Sequence, residues 1–506
     1  TEIWKHDKLF IENNCATIRK NFAITEVYHM NDNNKEYLDK ILREFRSLID
    51  FYRMEYDEDL LSLFQDFCYL LIGRACYQRE QDSSVKHDYL KMTSEEVEEW
   101  VYKFQKEIWR EMREADWYRD VFEYQLFIEK TSILRQILQV SETLLDICHK
   151  VEDEDFCYKA VRGMYELCVC NKRNSERYVL PDIYVKIFAQ ILDLEKNSDR
   201  GGEKLSILDP QAGTGTVLIA TGQYWPKAVL RGYESDRQLR IGVQLLSILS
   251  GKRIYLEKRD FLPKGAEKAY DIVFANPSFT NTKERLSTEI QIQMPIRVQT
   301  RYGFFLVQSV LALASGGMAV LVVPDSFLFS TKAEFVDIRR WMFTEYSIEA
   351  IVSLPESTFH FSTVKSSVLL IKNFKTQASF FMKEEWNERH PYVFFYDLEA
   401  ESDGSLIDIW NQREYLFEQW REKTENFLEN YNLIRTPGNW EFQEFWFAER
   451  KSVEASGWNL LPEYYKPAKR QVLDFEDPQQ ILEDLIQKQK ELLSDMEELL
   501  VEVRGL

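Results

Sequence analysis

Long hydrophobic runs are scarce in this 506-residue chain, and the main one, from Gly303 to Pro324, is broken by Gln308, Ser309, Ser315 and Gly316-Gly317. A bilayer span needs about 20 predominantly apolar residues, so the tract reads as a buried helix, a turn and a buried strand, and no membrane partner is expected. Cysteine is sparse as well: seven residues, an odd number, with no C-x-x-C pair. That pattern argues against a disulfide framework and points to reduced thiols in a cytoplasmic protein. Cys148, His149, Cys157, Cys168 and Cys170 cluster without any zinc spacing, so they read as small buried hydrophobes, and no metal is expected. With 13 prolines and 18 glycines the chain is neither collagenous nor low in complexity. No basic stretch followed by an apolar run stands near Thr1, so these residues hold no secretory leader, although one removed ahead of Thr1 stays open. Positive charge is short too, 64 Lys and Arg against 84 Asp and Glu. A net charge of −20 ill suits a chain that would grip duplex DNA alone, because phosphate neutralisation supplies most non-specific affinity. If DNA is the substrate, a partner must supply much of the grip.

What remains is a globular composition, 45% apolar and 29% charged, long enough for two to four domains of roughly 100–200 residues. Residues 1–165 show helical periodicity, as in Tyr37, Leu38, Ile41, Leu42, Phe45, Leu48 and Ile49, and predict a helical domain. Its aromatic residues, among them Trp100, Tyr102, Phe104, Trp109 and Trp117, lack interleaved basic runs and read as core rather than as a nucleic-acid platform.

Across 166–400 the pattern becomes short β-type runs alternating with helical stretches: 205–209, 229–234, 254–260, 271–276, 318–324, 349–354 and 366–372. This alternation predicts an α/β, Rossmann-like domain with a mostly parallel sheet and helices on both faces. Ligands bind such sheets beyond the carboxyl ends of the strands, where the topology switches direction. The region 401–506 turns aromatic and acidic and closes on a helical tail. There Leu482, Leu485, Leu492, Met496, Leu499 and Val503 share a heptad seam, which either packs on this chain or docks on a partner helix.

Two motifs carry chemistry. The run ending at Asp209 leads into Pro210-Gln211-Ala212-Gly213-Thr214-Gly215 and then an apolar helix start. Gly213 and Gly215 let the backbone bend and a ligand approach the amide end of the helix, where a carboxylate such as that of methionine is favoured. Glu234, nineteen residues after Gly215, ends the next strand, where it can accept hydrogen bonds from ribose hydroxyls. Asp260 ends the third and can meet an adenine amine. The set describes a site for S-adenosylmethionine.

The second motif is Asn276-Pro277-Ser278-Phe279, at the end of the fourth predicted strand. Asn-Pro alone is a common turn, but this one follows a strand of the sheet that carries the glycine loop. An adenine amine is a poor nucleophile because its lone pair is delocalised into the ring. The Asn276 side-chain oxygen and the Pro277 carbonyl can accept its two N–H groups, orient the nitrogen and stabilise the positive charge that develops on it. That chemistry needs neither a general base nor a metal. Phe279 can stack on a base extruded from the duplex, a contact worth about 1–3 kcal/mol. Lys283, Arg285, Arg297 and Arg301 in the following polar stretch can touch phosphates, or belong to an ordinary solvated loop.

With these residues in view, the chain resembles the modification (M) subunit of bacterial type I restriction-modification systems, an N6-adenine DNA methyltransferase. Further likeness lies in Ser315-Gly316-Gly317 leading to Val323-Pro324-Asp325, in Ile351-Val352-Ser353-Leu354-Pro355, and in Val364-Lys365-Ser366-Ser367. Gly457-Trp458-Asn459-Leu460 and Tyr464-Tyr465-Lys466 resemble the family's tail. The resemblance implies that Arg177-Tyr178-Val179-Leu180-Pro181-Asp182 folds over the cofactor, with Leu180 where the family usually has threonine. It implies a catalytic turn in which Ser278 replaces a second proline. It also implies a specificity subunit docked on the terminal helix, double-stranded DNA with a flipped adenine as substrate, and a nuclease subunit as a further partner. The competing expectations are a non-catalytic scaffold that keeps the cofactor fold and a methyltransferase acting on a protein amide or an RNA base.

Overall fold

The computed structural model describes residues 32–56, 60–81, 87–112, 118–153, 156–169, 180–196, 205–262, 269–277, 294–356, 358–359, 364–374, 379–398, 405–429 and 444–466. The heptad tail, Arg177 to Val179, Ser278, Phe279, Lys283 and Arg285 lie outside them.

The helical region is built around Leu60–Gln81, in which every residue from Leu60 to Arg74 is buried. A helix buried on all sides sits at the centre of a domain. Around it pack Asp32–Glu55, Ser94–Met112, Thr131–Cys148 and Phe156–Val169. The start of Ser94–Met112 follows from a capping box: Thr93 N donates to Glu96 Oε2 at 2.7 Å, and Glu96 N donates to Thr93 Oγ1 at 3.3 Å. Its buried face, Val97, Val101, Phe104, Ile108 and Met112, keeps the three- and four-residue step of an amphipathic helix. Of the aromatic residues read as core, Phe104 is buried, whereas Tyr102 and Trp109 are exposed; Trp117 is outside the described residues.

A nine-stranded sheet follows: β1 (Ser206–Asp209), β2 (Val229–Tyr233), β3 (Ile254–Glu257), β4 (Tyr270–Ala275), β5 (Leu313–Pro324), β6 (Ser347–Ser353), β7 (Ser366–Lys372), β8 (Tyr392–Asp397) and β9 (Phe445–Glu449). They lie in the order β3-β2-β1-β4-β5-β7-β6-β8-β9. From β3 to β5 every neighbour is parallel. Beyond β5 the sheet is mixed, because β7 runs antiparallel between β5 and β6 and β9 runs antiparallel beside β8. The direction of winding reverses between β1 and β4, which opens a crevice at their carboxyl ends.

Each face of the sheet has its own core. Along β5, Met318, Val320 and Val322 join the core shared with the helical region, while Ala319, Leu321 and Val323 join a second one beneath the helices Arg301–Leu311 and Ala333–Glu345. This two-sided burial accounts for the apolar run from Met318 to Pro324. The tract 303–324 is the helix Arg301–Leu311 followed by β5, and no described helix is long and apolar enough to cross a membrane. Two limits drawn from the sequence fall elsewhere in the fold. Residue 165 lies inside the helix Phe156–Val169, and the region after 400 supplies β9, which completes the sheet. The cysteines 148, 157 and 168 sit in or against the helical core.

Candidate cofactor and catalytic site

β1 ends at Asp209, and the chain turns through Pro210 to Gly215 before the helix Thr216–Tyr224 begins. Gly213 has φ +51° and Gly215 φ +74°, the left-handed region that disfavours a side chain. A Cβ on Gly215 would stand 2.6 Å from Val243 Cγ1, so the turn packs directly on the helix Arg237–Ser250. At Gly213 the nearest atom to such a Cβ is Gln211 O at 3.8 Å, and the space above the loop is open. The helix has Gly215 at its N-cap, a residue with no side chain to cap the first amides.

Glu234 follows β2 and is 8% exposed. Its carboxylate braces the glycine turn: Gly213 N donates to Oε2 at 3.1 Å and Asp236 N donates to Oε1 at 2.8 Å. The backbone adds Ala212 N to Tyr233 O at 3.1 Å. Burial raises the Glu234 pKa above the ordinary carboxylate value, and the two amides work against that rise. A carboxylate has about four lone-pair sites, so capacity is left for ribose hydroxyls.

Asp209, 2% exposed, accepts from Gln211 N at 3.0 Å. Burial pushes its pKa from the ordinary 3.8 to about 7, with the nearby Glu234 charge adding to the effect. Between those two values the folded chain holds a proton that the unfolded chain releases. The stabilising contribution is therefore full below pH 3.8 and is lost as pH rises through 7. Asn at this position keeps the acceptor for Gln211 N without the charge. Denaturant titrations of Asp209→Asn against the parent should show a stability gain that grows from pH 5 to pH 7 and then levels, reaching up to about 4 kcal/mol. A gain that stays constant with pH would show that the carboxyl does not titrate in this way.

The strand ends converge on an open cleft of about 490 Å³, a volume that includes the solvent space at its mouth. Gln211 reaches it from the glycine turn, Glu234 from β2, Asp260 from the turn after β3, Pro277 from the turn after β4, and Tyr302 from the helix Arg301–Leu311. β1 and β4 pair Leu208 with Val273, so Gln211 and Asn276 lie three residues beyond the same rung. Pro277 is buried and Asn276 half-buried, with Asn276 Oδ1 withdrawn from solvent. Asp260 Oδ1 accepts from Leu262 N at 3.0 Å, and its other oxygen takes an ion pair from Arg301. Arg259 lies over the Tyr233 ring at 4.4 Å and donates to Asp260 O at 3.2 Å.

The residues read from sequence thus separate into four groups. Glu234, Asp260 and Pro277 line the cleft, and Asp209, Ala212, Gly213, Thr214, Gly215 and Asn276 form the turns that shape it. Leu180, Pro181 and Asp182 do not line it: the Leu180 side chain is fully buried in the core shared with the helical region, where an aliphatic group gains most. Asp182 opens the helix Asp182–Lys196 and pairs with Arg162 at 3.4 Å. Arg177, Tyr178, Val179, Ser278 and Phe279 fall outside the described residues. Sequence reasoning missed Tyr302 and Phe305 as walls of the cleft and left Arg301 between a phosphate contact and an ordinary solvated loop, whereas here it pairs with Asp260. The signal for that helix was Thr300, an N-cap whose Oγ1 accepts from Gly303 N at 3.0 Å.

The open bend at Gly213, the uncapped helix end, the acceptor carboxylate of Glu234 and the apolar walls Phe261 and Tyr302 suit an adenosyl cofactor with an amino-acid tail. The fold and the cleft define a Rossmann-like methyltransferase. The family model for N-6 DNA methylase matches residues 164–472, and the chain belongs to that family of S-adenosylmethionine-dependent enzymes that methylate adenine N6 in DNA. Among solved structures it is similar to a type I restriction-modification methyltransferase subunit from Streptococcus thermophilus, with TM-score 0.56 and 15% identity over 85% of this chain and all of that one. A chain from a structure of type I R-M complex assembly and conformational transition gives TM-score 0.54 and 17% identity over 91% of this chain and 97% of that one. A modification subunit of a type I restriction enzyme from Vibrio vulnificus YJ016 gives 0.50 and 13% over 83% and 93%. At these identities the likeness is one of fold.

Proposed function

We propose that this chain is the methylating subunit of a type I-like restriction-modification complex and acts on adenine N6 in a base flipped out of duplex DNA. The observation that carries the reading is the single cleft shared by Glu234, from the glycine-turn side, and Pro277, from the Asn-Pro turn. S-adenosylmethionine, when bound, supplies an electrophilic methyl group on a sulfonium. Gly213, Gly215 and the amide end of the helix Thr216–Tyr224 would hold its carboxylate, and Glu234 its ribose. Asn276 Oδ1 and Pro277 O would accept the two N–H groups of the target amine and keep its nitrogen aligned. The N6 proton displaced by the new N–C bond leaves to solvent. Shielding from water by Phe261, Tyr302 and Phe305 strengthens each of these contacts.

The net charge of −20 supports a division of labour in which a specificity subunit grips and reads DNA while this chain does the chemistry. The heptad seam at 482–503 supplies the surface for that subunit, and a nuclease subunit would join the same assembly. Tritium transfer from labelled S-adenosylmethionine to adenine-containing DNA, with and without the specificity subunit, tests the reading. Label should appear in N6-methyladenine and should depend on the partner. Cofactor binding with no transfer in the full complex would favour a scaffold, and label in protein or RNA would favour another acceptor.

A further inference from the structure

The helical region meets the helix Arg237–Ser250 through Leu60–Gln81, Phe156–Val169 and the short helix Arg119–Phe122, and the contact made by the short helix centres on one carboxylate. Asp120 is 2% exposed. Its Oδ2 accepts from Arg240 Nε and from Gln244 Nε2, each at 3.2 Å, and its Oδ1 accepts from Lys258 Nζ at 3.1 Å. Arg240 then continues inward: its Nη1 donates to Ser235 O at 2.6 Å and to Glu234 O at 3.2 Å. Lys258 immediately precedes Arg259 and Asp260 in the turn after β3. Glu234, Ser235, Arg259 and Asp260 all line the cleft.

We propose that Asp120 is a positioning residue for the cofactor, contributed by the helical region: one carboxylate clamps the two turns, 234–236 and 258–260, that form one side of the cleft. The inference rests on reading the cleft as the S-adenosylmethionine site. The turn 234–236 is held from its carbonyl side by Arg240 and from its amide side by the Glu234 carboxylate, so its geometry depends on Arg240 staying in place. Arg240 is 7% exposed, and a buried guanidinium without its carboxylate is strongly disfavoured. Burial pushes the Asp120 pKa up, but the hydrogen bonds from Arg240 and Lys258 outweigh it and hold the group below the ordinary carboxylate range. The clamp is therefore charged at neutral pH. An ion pair that only docked the helical region would leave ligand affinity of the folded protein untouched. A clamp on both turns would not.

Calorimetric titration of the full chain with S-adenosylmethionine separates these cases. In Asp120→Asn, which keeps the shape and removes the charge, the dissociation constant should rise about tenfold, on the scale of ordinary coupling between sites. In turnover, the loss should appear in KM for the cofactor rather than in kcat. Lys258→Gln covers the case in which Asp120→Asn does not fold, because Lys258 is half-exposed and its removal leaves the Arg240 pair intact. It should weaken binding by about threefold, and the double variant should be weaker than Asp120→Asn by less than that factor, since both act through one carboxylate. Folded variants that bind within twofold of the parent overturn the clamp. A parent chain that binds nothing overturns the cofactor reading itself.

Discussion

Asn276→Ala is expected to lower methyl transfer by about 1,000-fold while the dissociation constant for S-adenosylmethionine stays within about twofold of the parent value. Removing one preorganised hydrogen-bonding group that acts on developing charge costs about 100- to 1,000-fold in comparable sites. Here the lost acceptor also orients the amine, and misalignment adds to the loss. Asn276 follows β4 and does not itself line the cofactor cleft, and its neighbour Pro277 keeps its own carbonyl in the variant, so the pocket should survive. Single-turnover tritium transfer, paired with calorimetry on the same preparation, reads both quantities. Asn276→Asp restores an acceptor oxygen and should recover part of the rate, which a variant that merely loosened the turn would not. Transfer by Asn276→Ala within tenfold of the parent would remove Asn276 from the chemistry.

The first half of the sheet was legible because each of its strands carries a local signal. β1, β2, β3 and β4 are short apolar runs, each ending in a polar or glycine turn, and helices join β1 to β2 and β2 to β3. Parallel strands require such crossovers. The second half was less so. β6 and β7 are joined by residues 354–365, and the two strands pair antiparallel. β8 (Tyr392–Asp397) and β9 (Phe445–Glu449) were not anticipated, because strands covered on both faces show no alternation and theirs are aromatic runs within an acidic region. β9 also pairs with a strand about fifty residues earlier, a partnership that local pattern does not encode.

The site divides along the same line. Residues that belong to a local turn, Gly213, Gly215, Glu234, Asp260 and the Asn276-Pro277 pair, announce themselves by type and position. Contacts across long stretches of chain do not: Arg301 reaches Asp260 over 41 residues, and Asp120 reaches Lys258 over 138. Leu180 shows the opposite error. Its place in the motif suggested the cofactor, but an aliphatic side chain beside a large apolar core is drawn into it, and there it is fully buried.

Glu234→Gln addresses the bracing role that sequence reading did not foresee. The carboxylate takes one loop amide on each oxygen, Gly213 N on Oε2 and Asp236 N on Oε1. A glutamine side chain offers one oxygen and one NH₂ group, so whichever way it turns, one of these two amides faces a donor instead of an acceptor. The glycine turn and the turn after β2 can no longer be held together by one side chain. The acceptor offered to the ribose is weakened as well, and charge-assisted hydrogen bonds are roughly twice as strong as neutral ones. Two such losses together predict a rise in the S-adenosylmethionine dissociation constant on the order of 100-fold. Because Glu234 touches no part of the target base in this scheme, transfer at saturating cofactor should fall far less than it does in Asn276→Ala. Titration calorimetry and a KM and kcat comparison of the two variants distinguish the roles. Affinity within threefold of the parent for a folded Glu234→Gln would mean that neither the brace nor the ribose contact governs cofactor binding.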